Sequence, residues 1–261
     1  MSSATPVALS CESEQPSETY YDQVDIFDYD QTIVAHPLMD SVKAAMIADL
    51  ISLDINNQRD ISILDAGTGS GQLARLILAF GFRNLELADI DAHSEAFCRD
   101  HPELSHVPFH RVDLAAADLK SLGGKHFDVV CLLGVFHHVP QRQRVNFLKS
   151  VSRIASHVLI GDEGILEYSC EKERKQHARQ WYGFVISEAK RRRIPKLAAM
   201  EELFLKSDTS DFRGPNEDFK ESPTAVLSYA EKANFSIINL NRIGNWSEHK
   251  GGMYTAVLRA R

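Results

Sequence analysis

Three glycines at alternate positions, Gly67, Gly69 and Gly71, follow closely after Asp65 and a short apolar run. The apolar run, residues 61–64, predicts a buried parallel strand, and the spacing of apolar residues after the glycines predicts a helix. A strand, a glycine turn and a helix in this order bring backbone N–H groups and a helix N-terminus up to a ligand. A tight turn that binds nothing is the simpler alternative.

A second acidic residue, Asp89, follows the glycines by about twenty residues, at the end of a predicted strand over residues 85–89. At this spacing in α/β folds a carboxylate reaches the two ribose hydroxyls of a nucleotide, because it can accept a hydrogen bond from each. We expect Asp91 to cap the helix that begins near Ala92, and Ser222 to cap a later helix that begins at Pro223. Capping is also the alternative for Asp89, but motif and spacing together favour a nucleotide.

The stretch 63–80 resembles motif I of the class I S-adenosylmethionine (SAM)-dependent methyltransferases, in which an acidic residue precedes three alternating glycines. The resemblance implies that SAM is the cofactor. It also implies that Asp65, Gly67, Thr68 and Gly69 surround the methionine end of that cofactor.

The same resemblance implies contacts with the nucleoside at the ends of the next two predicted strands. Asp89 would bind the ribose, and Ile90 would pack on the adenine. Asp113 would accept a hydrogen bond from the adenine amino group, and the N–H of Leu114 would meet a ring nitrogen. For Asp113, a loop aspartate that opens the next helix is an equal alternative.

The fourth predicted strand, residues 127–133, is apolar almost throughout and leads into two adjacent histidines. In the family the exit of this strand faces the cofactor, so the backbone of Leu133 and Gly134 is expected to bind the methionine amino group. His137 and His138 are placed where a general base could accept a proton from an amine or a hydroxyl, and His138 is favoured. Many methyltransferases need no base, because alignment and exclusion of water suffice.

Substrate contacts are predicted at two places. Tyr20, Tyr21 and Tyr29 belong to an aromatic, acidic stretch that could cover the substrate, although packing on the outside of the sheet is at least as good an explanation. Glu163, at the tip of the fifth predicted strand, could bind a cationic acceptor. Asp162 and Glu163 could together bind a divalent metal, but no third acid occupies a matching position, so no metal is predicted.

Charge and composition exclude several classes of function. The net charge of −7 over 261 residues argues against a general nucleic-acid binder. The four cysteines show no paired motif, which indicates reduced thiols and no zinc site, and no apolar run predicts a membrane span or an export signal. We therefore expect a cytoplasmic protein that acts on a small molecule and binds neither membrane nor, in general, nucleic acid.

One basic cluster departs from the acidic average. Its members are Lys190, Arg191, Arg192, Arg193 and Lys196. Such a cluster could steer a phosphorylated substrate, RNA or an acidic carrier protein, but the solvated face of a helix is the default interpretation.

The element pattern predicts a doubly wound α/β fold, with a mostly parallel, seven-stranded Rossmann-like sheet and an antiparallel C-terminal strand. The predicted parts are a disordered tail over 1–18, an N-terminal helical cover over 19–59, a SAM-binding core over 60–164 and 217–261, and a helical lid over 165–216.

The predicted function is SAM-dependent methyl transfer to a small-molecule acceptor, with nitrogen or oxygen favoured over carbon. Methylation of RNA, protein or a carrier-bound substrate is one alternative. An NAD(P)-dependent oxidoreductase is another, because Gly69, Gly71 and Ala74 satisfy GxGxxA. A SAM-binding protein without catalytic activity is the third. The sequence does not give the oligomeric state.

Overall fold

The protein is described here by a computed structural model. The described residues are 26–53, 55, 60–113, 122, 124–210 and 218–261. The predicted tail, together with Tyr20, Tyr21 and Leu114, lies outside the described residues.

A seven-stranded sheet forms the centre of the molecule, and its strand order is β3-β2-β1-β4-β5-β7-β6. Strands β1 to β5 pair in parallel, and β7 is antiparallel to both of its neighbours, β5 and β6. The predicted fold class is therefore confirmed. The strands are β1 (Ile63–Ala66), β2 (Leu85–Asp89), β3 (Phe109–Arg111), β4 (Phe127–Leu133), β5 (Ala155–Ile165), β6 (Phe235–Ile243) and β7 (Gly251–Ala260).

Helices flank the sheet and two of them begin at the predicted caps. Asp91 accepts hydrogen bonds from the N–H groups of His93 and Ser94, and Ser222 accepts one from Ala225. The helices are α1 (Ile26–Ile33), α2 (Met39–Ser52), α3 (Gln72–Ala79), α4 (Ala92–Asp100), α5 (Arg144–Val151), α6 (Glu171–Arg191), α7 (Pro195–Thr209), α8 (Pro223–Lys232) and α9 (Trp246–His249).

The hydrophobic core consists of one layer on each face of the sheet. Along β4, Val130 and Leu132 belong to the layer that includes residues of α5 and α8, whereas Val129 and Cys131 belong to the layer that includes residues of α2, α3 and α4. This alternation explains why β4 is apolar almost throughout, since a strand covered on both faces has few positions for polar side chains.

The segment predicted as a lid contains two long helices, α6 and α7, called here the α6–α7 pair. The pair has its own apolar cluster, in which Trp181 and Tyr182 are fully buried and Tyr29 of α1 packs at the edge. Helix α1 contacts both α4 and α7: the Phe27 ring meets Phe97 edge-on at 4.9 Å, and Asp28 pairs with Lys196.

The basic cluster is exposed, and most of its members have local partners. Lys190 pairs with Glu202, Arg191 pairs with Glu188, and Arg192 donates to the carbonyl of Ala35. Within the described parts of the chain, none of the helices combines the length and the apolar character that a membrane crossing requires.

Candidate functional site

The strand order reverses direction between β1 and β4, and this point is where open α/β sheets bind ligands. The loops that leave the carboxyl ends of these two strands flank the position where such folds form a ligand crevice. One loop carries the three glycines, and the other carries Gly134 and the two histidines.

All three glycines of the first loop have left-handed backbone angles, with φ of +71° at Gly67, +53° at Gly69 and +72° at Gly71. A Cβ at Gly67 would lie 2.4 Å from Val135 and one at Gly71 would lie 2.3 Å from Leu104. A Cβ at Gly69 would meet nothing within 4 Å. The outer glycines are therefore fixed by contacts within the protein, and only Gly69 presents bare backbone to open space.

Asp89 connects the end of β2 to the glycine loop. One of its carboxylate oxygens accepts from the N–H of Gly69 at 2.8 Å, and the other accepts from the N–H of Asp91 at 3.0 Å. Burial raises the pKa of Asp89. Each oxygen has a second lone pair for a hydroxyl. The neighbouring Ile90 is 60% exposed, and Asp113 is exposed just after β3, the next strand along this edge.

Asp65 and Thr68 bind each other inside the loop. The Thr68 hydroxyl donates to the carboxylate of Asp65 at 2.7 Å, and both side chains are buried. Burial, with a contribution from the charge of Asp89, raises the pKa of Asp65 to about 7. Asp65 therefore shapes the loop. Its predicted place around the methionine end of the cofactor stays a prediction.

The second loop begins at Gly134, immediately after β4 and Leu133. Gly134 has a φ of +66°, a Cβ there would meet nothing within 4 Å, and its N–H donates to the carbonyl of Gly161 at 2.8 Å. The N–H of Gly134 is therefore used by β5. Its carbonyl is the backbone group that could accept a hydrogen bond from an amine.

His137 lies between two carboxylates. Its ring Nδ1 is 2.5 Å from one carboxylate oxygen of Asp162, and its backbone N–H donates to the other oxygen at 3.0 Å. Its ring Nε2 lies 3.6 Å from a carboxylate oxygen of Asp218. Burial acts against the charged ring, but Asp162 and Asp218 outweigh it and raise the pKa of His137. His137 is therefore the charged member of the histidine pair.

His138 is the neutral member. Its ring centre is 3.9 Å from that of His137, and burial followed by the His137 charge lowers its pKa to about 3. At neutral pH His138 has an unprotonated nitrogen, as a general base requires, although the low pKa makes it a weak one.

Asp162 and Glu163 lie inside β5 and not beyond its end. Glu163 was predicted at the tip of the fifth strand, but β7 pairs with β5 as far as Ile165. Glu163 was predicted to bind a cationic acceptor. It already contacts Lys220 at 2.6 Å, the indole N–H of Trp181 at 3.2 Å and His36 at 3.0 Å.

These contacts belong to a larger group of charged side chains, called here the buried polar network. Sequence reasoning missed its members outside the two strand ends, because nothing local in the sequence marks His36 or Glu201. For Asp218 and Lys220, the one available signal was their place in a charged stretch just before the predicted cap at Ser222. The network consists of His36, His137, Asp162, Glu163, Glu201, Asp218 and Lys220.

Solved structures share this fold at low sequence identity. The DhpI–SAM–HEP complex matches with a TM-score of 0.59 at 17% identity, covering 92% of this chain and 94% of that chain. The N-methyltransferase NodS from Bradyrhizobium japonicum, in complex with S-adenosyl-L-homocysteine, gives 0.55 at 12% identity, covering 86% and 88%. The [4+2]-cyclase SpnF gives 0.55 at 10% identity, covering 85% and 80%.

These structural likenesses show the fold alone. No curated protein matches the chain in sequence. A match to the family described as "Methyltransferase domain" extends over residues 40–208, well over half of the chain. It includes the glycine loop, Asp89 and the histidine pair. The predicted family is confirmed: the chain belongs to the methyltransferase-domain family.

Proposed function

We propose that the protein transfers a methyl group from SAM to a small-molecule acceptor, at a nitrogen or an oxygen atom. The observation that carries this proposal is the contact between Asp89 and the glycine loop at the switch point of the sheet. One carboxylate orders the loop through the Gly69 N–H and has lone pairs left for the hydroxyls of a sugar.

The residues at this edge fit a nucleoside with an amino-acid tail. Open space beside Gly69 and Gly134 leaves backbone accessible on both sides of the crevice. The exposed side chain of Ile90 offers an apolar face for a base, and Asp113 offers an acceptor for an exocyclic amine. The carboxylate of Asp89 thus suits the sugar, the side chain of Ile90 suits the base, and the backbone beside Gly69 and Gly134 suits the amino-acid tail.

The histidine pair and the helices act on the acceptor side. SAM supplies a methyl group on a cationic sulfur, which a nucleophile can attack directly. His138 accepts the proton of an amine or a hydroxyl, and the Asp162 carboxylate fixes its neighbour His137. Helices α1, α6 and α7 exclude water, which favours displacement by the acceptor over hydrolysis.

Calorimetric titration tests this proposal against the oxidoreductase alternative. We expect SAM and S-adenosylhomocysteine to bind with one site per chain and NADH to give no heat. NADH binding without SAM binding would overturn the proposal.

Two further alternatives have direct tests. A non-catalytic SAM-binding protein would bind the cofactor but consume none of it with any acceptor; the match to a [4+2]-cyclase is a reminder that this fold is not limited to methyl transfer. A methyltransferase acting on RNA would shift in electrophoretic mobility with tRNA at moderate salt. The net charge of −7 disfavours such binding of RNA.

A further inference from the structure

Three side chains far apart in the sequence meet inside the buried polar network. His36 comes from the turn between α1 and α2, Glu163 from β5, and Glu201 from α7. Each offers one nitrogen or oxygen atom, and these three atoms all lie within 4.8 Å of one another. His36 and Glu201 are 3% and 1% exposed, and the Glu163 side chain is 10% exposed.

Two of the three side chains carry a buried nitrogen or oxygen atom without a hydrogen bond. Nε2 of His36 and Oε2 of Glu201 are buried and have no hydrogen-bond partner in the described part of the chain. His36 Nε2 is 3.0 Å from Oε1 of Glu163, but the angles are not those of a hydrogen bond. Leaving buried polar atoms unpaired is costly, so a group that satisfies both would stabilise the fold.

The remaining contacts of Glu163 leave one oxygen for that group. Its Oε2 is occupied by Lys220 and by the indole N–H of Trp181. Its Oε1 faces His36. No side chain of the described residues donates a hydrogen bond to Oε2 of Glu201.

Charge around the site also favours a cation. The described ion pairs of the region contain the cations Lys220, Arg174 and His137 and a larger number of buried carboxylates. The carboxylates are Asp162, Glu163, Glu201, Asp208 and Asp218.

We propose that His36, Glu163 and Glu201 bind a divalent transition-metal ion, with zinc as the best match. One imidazole and two carboxylates are ligands that zinc accepts, at about 2.0–2.2 Å each. In a tetrahedral site, ligand atoms at that radius lie about 3.3–3.6 Å apart, and the three atoms, all within 4.8 Å of one another, can contract to that spacing around the ion. Magnesium fits less well, because it prefers oxygen ligands.

The ion would join three parts of the chain that the sequence presents separately. It would connect the N-terminal helices through His36 and the α6–α7 pair through Glu201 to the central sheet at Glu163. The sequence predicted no metal because Asp162 and Glu163 have no third acid nearby. The fold supplies the missing ligands from residues 36 and 201. Three protein ligands leave a fourth position for water or for an acceptor group.

Zinc binding by the full-length protein tests the proposal without any cofactor, so its outcome is independent of SAM binding. The protein is dialysed against a chelator and then against zinc, and bound metal is measured by mass spectrometry. We expect about one zinc ion per chain and a melting temperature that rises with zinc concentration. Absence of both in the wild-type protein would overturn the proposal.

Two adjacent glutamates provide a matched pair of variants. Glu201→Gln removes one ligand charge but keeps the side-chain shape, whereas Glu202→Gln changes an exposed carboxylate that pairs with Lys190. We expect zinc affinity to fall at least 100-fold in Glu201→Gln and to stay unchanged in Glu202→Gln.

A second group of possible ligands, His137, His138 and Asp218, lies nearby and provides the control for location. Asp218→Asn should keep its zinc, because His137 Nε2 faces that carboxylate already and the proposed site does not use it. Zinc lost in Asp218→Asn but kept in Glu201→Gln would overturn the assignment.

Discussion

The two halves of the candidate site are built in different ways. At the ends of β1 and β2 the protein presents backbone, with three glycines, one ordering carboxylate and open space. At the ends of β4 and β5 it presents charged side chains, most of them buried and bound to one another. The first half arises within about 25 consecutive residues, whereas the second is assembled from segments between residues 36 and 220.

This difference indicates where specificity and stability reside. A backbone cradle suits a ligand common to a whole family, because it depends on few side chains. A network of buried charges must be satisfied in full, and it can be rebuilt for different acceptors by changing residues in the surrounding helices. Mutations should therefore separate the two halves: one set should change cofactor affinity, and the other should change stability and acceptor-side chemistry.

The largest expected effect lies in the second half, at Arg174. Its guanidinium is fully buried, pairs with Asp208 at 2.5 Å and lies 4.1 Å from the Phe219 ring centre. Arg174→Met leaves a buried carboxylate unpaired, so the free energy of unfolding should fall by about 3–5 kcal/mol in chemical denaturation. Cofactor affinity of the folded fraction should not change.

Arg191→Met is the control for this first prediction. Arg191 is exposed and pairs with Glu188, so the variant should lose far less stability than Arg174→Met. A similar loss in the two variants, or a large fall in SAM affinity in Arg174→Met, would contradict the separation of the halves.

The next effect belongs to the first half. Asp89→Ala removes the charged acceptor of two predicted hydroxyl hydrogen bonds, each worth about 1.5–3 kcal/mol, so SAM affinity should fall by about 100-fold or more in calorimetry. Asp91→Ala removes only a helix cap and should cost about 1 kcal/mol of stability with affinity unchanged. Equal affinities in Asp89→Ala and wild type would remove Asp89 from the site.

The protonation of the histidine pair sets a third, smaller effect in the second half. The pKa of His138 is lowered to about 3, so the unfolded chain takes up a proton below about pH 6.5 that the folded chain does not. Stability present above pH 6.5 is therefore lost as the pH falls. From pH 7 to pH 5 the wild type should lose about 1–2 kcal/mol relative to His138→Gln.

His137 acts with the opposite sign. Its raised pKa adds stability that is complete below about pH 6.5 and is lost as the pH rises through the folded-state value. Because His137 and the carboxylates are present in both proteins, the difference between wild type and His138→Gln isolates His138. If the stability difference between wild type and His138→Gln is the same at pH 7 and at pH 5, His138 is not buried in its neutral form.

The smallest expected effect compares two glycines with left-handed backbone and free space around the missing Cβ. Gly69→Ala should lower SAM affinity about tenfold, because the methyl group enters the crevice. Gly81→Ala has the same kind of backbone strain, at a φ of +93°, but lies at the far end of α3. Both should lose roughly 1 kcal/mol of stability, and only Gly69→Ala should lose affinity.

The comparison of the two halves also explains what the sequence could predict. The cofactor half was predictable because strand, loop, helix and Asp89 are close in sequence, and their backbone angles require glycine. Asp91 and Ser222 were predictable as caps for the same reason. The partners of Glu163 were not, because His36 and Lys220 reach it only through the packing of α2 and the segment after α7 against β5.

A crystal structure with S-adenosylhomocysteine bound would test the central claim most directly. The account predicts that both ribose hydroxyls lie within hydrogen-bond distance of the Asp89 carboxylate and that the amino-acid tail passes over Gly69. A nucleoside bound elsewhere, or side chains of the protein itself filling the space beside Gly69 in that crystal, would contradict it.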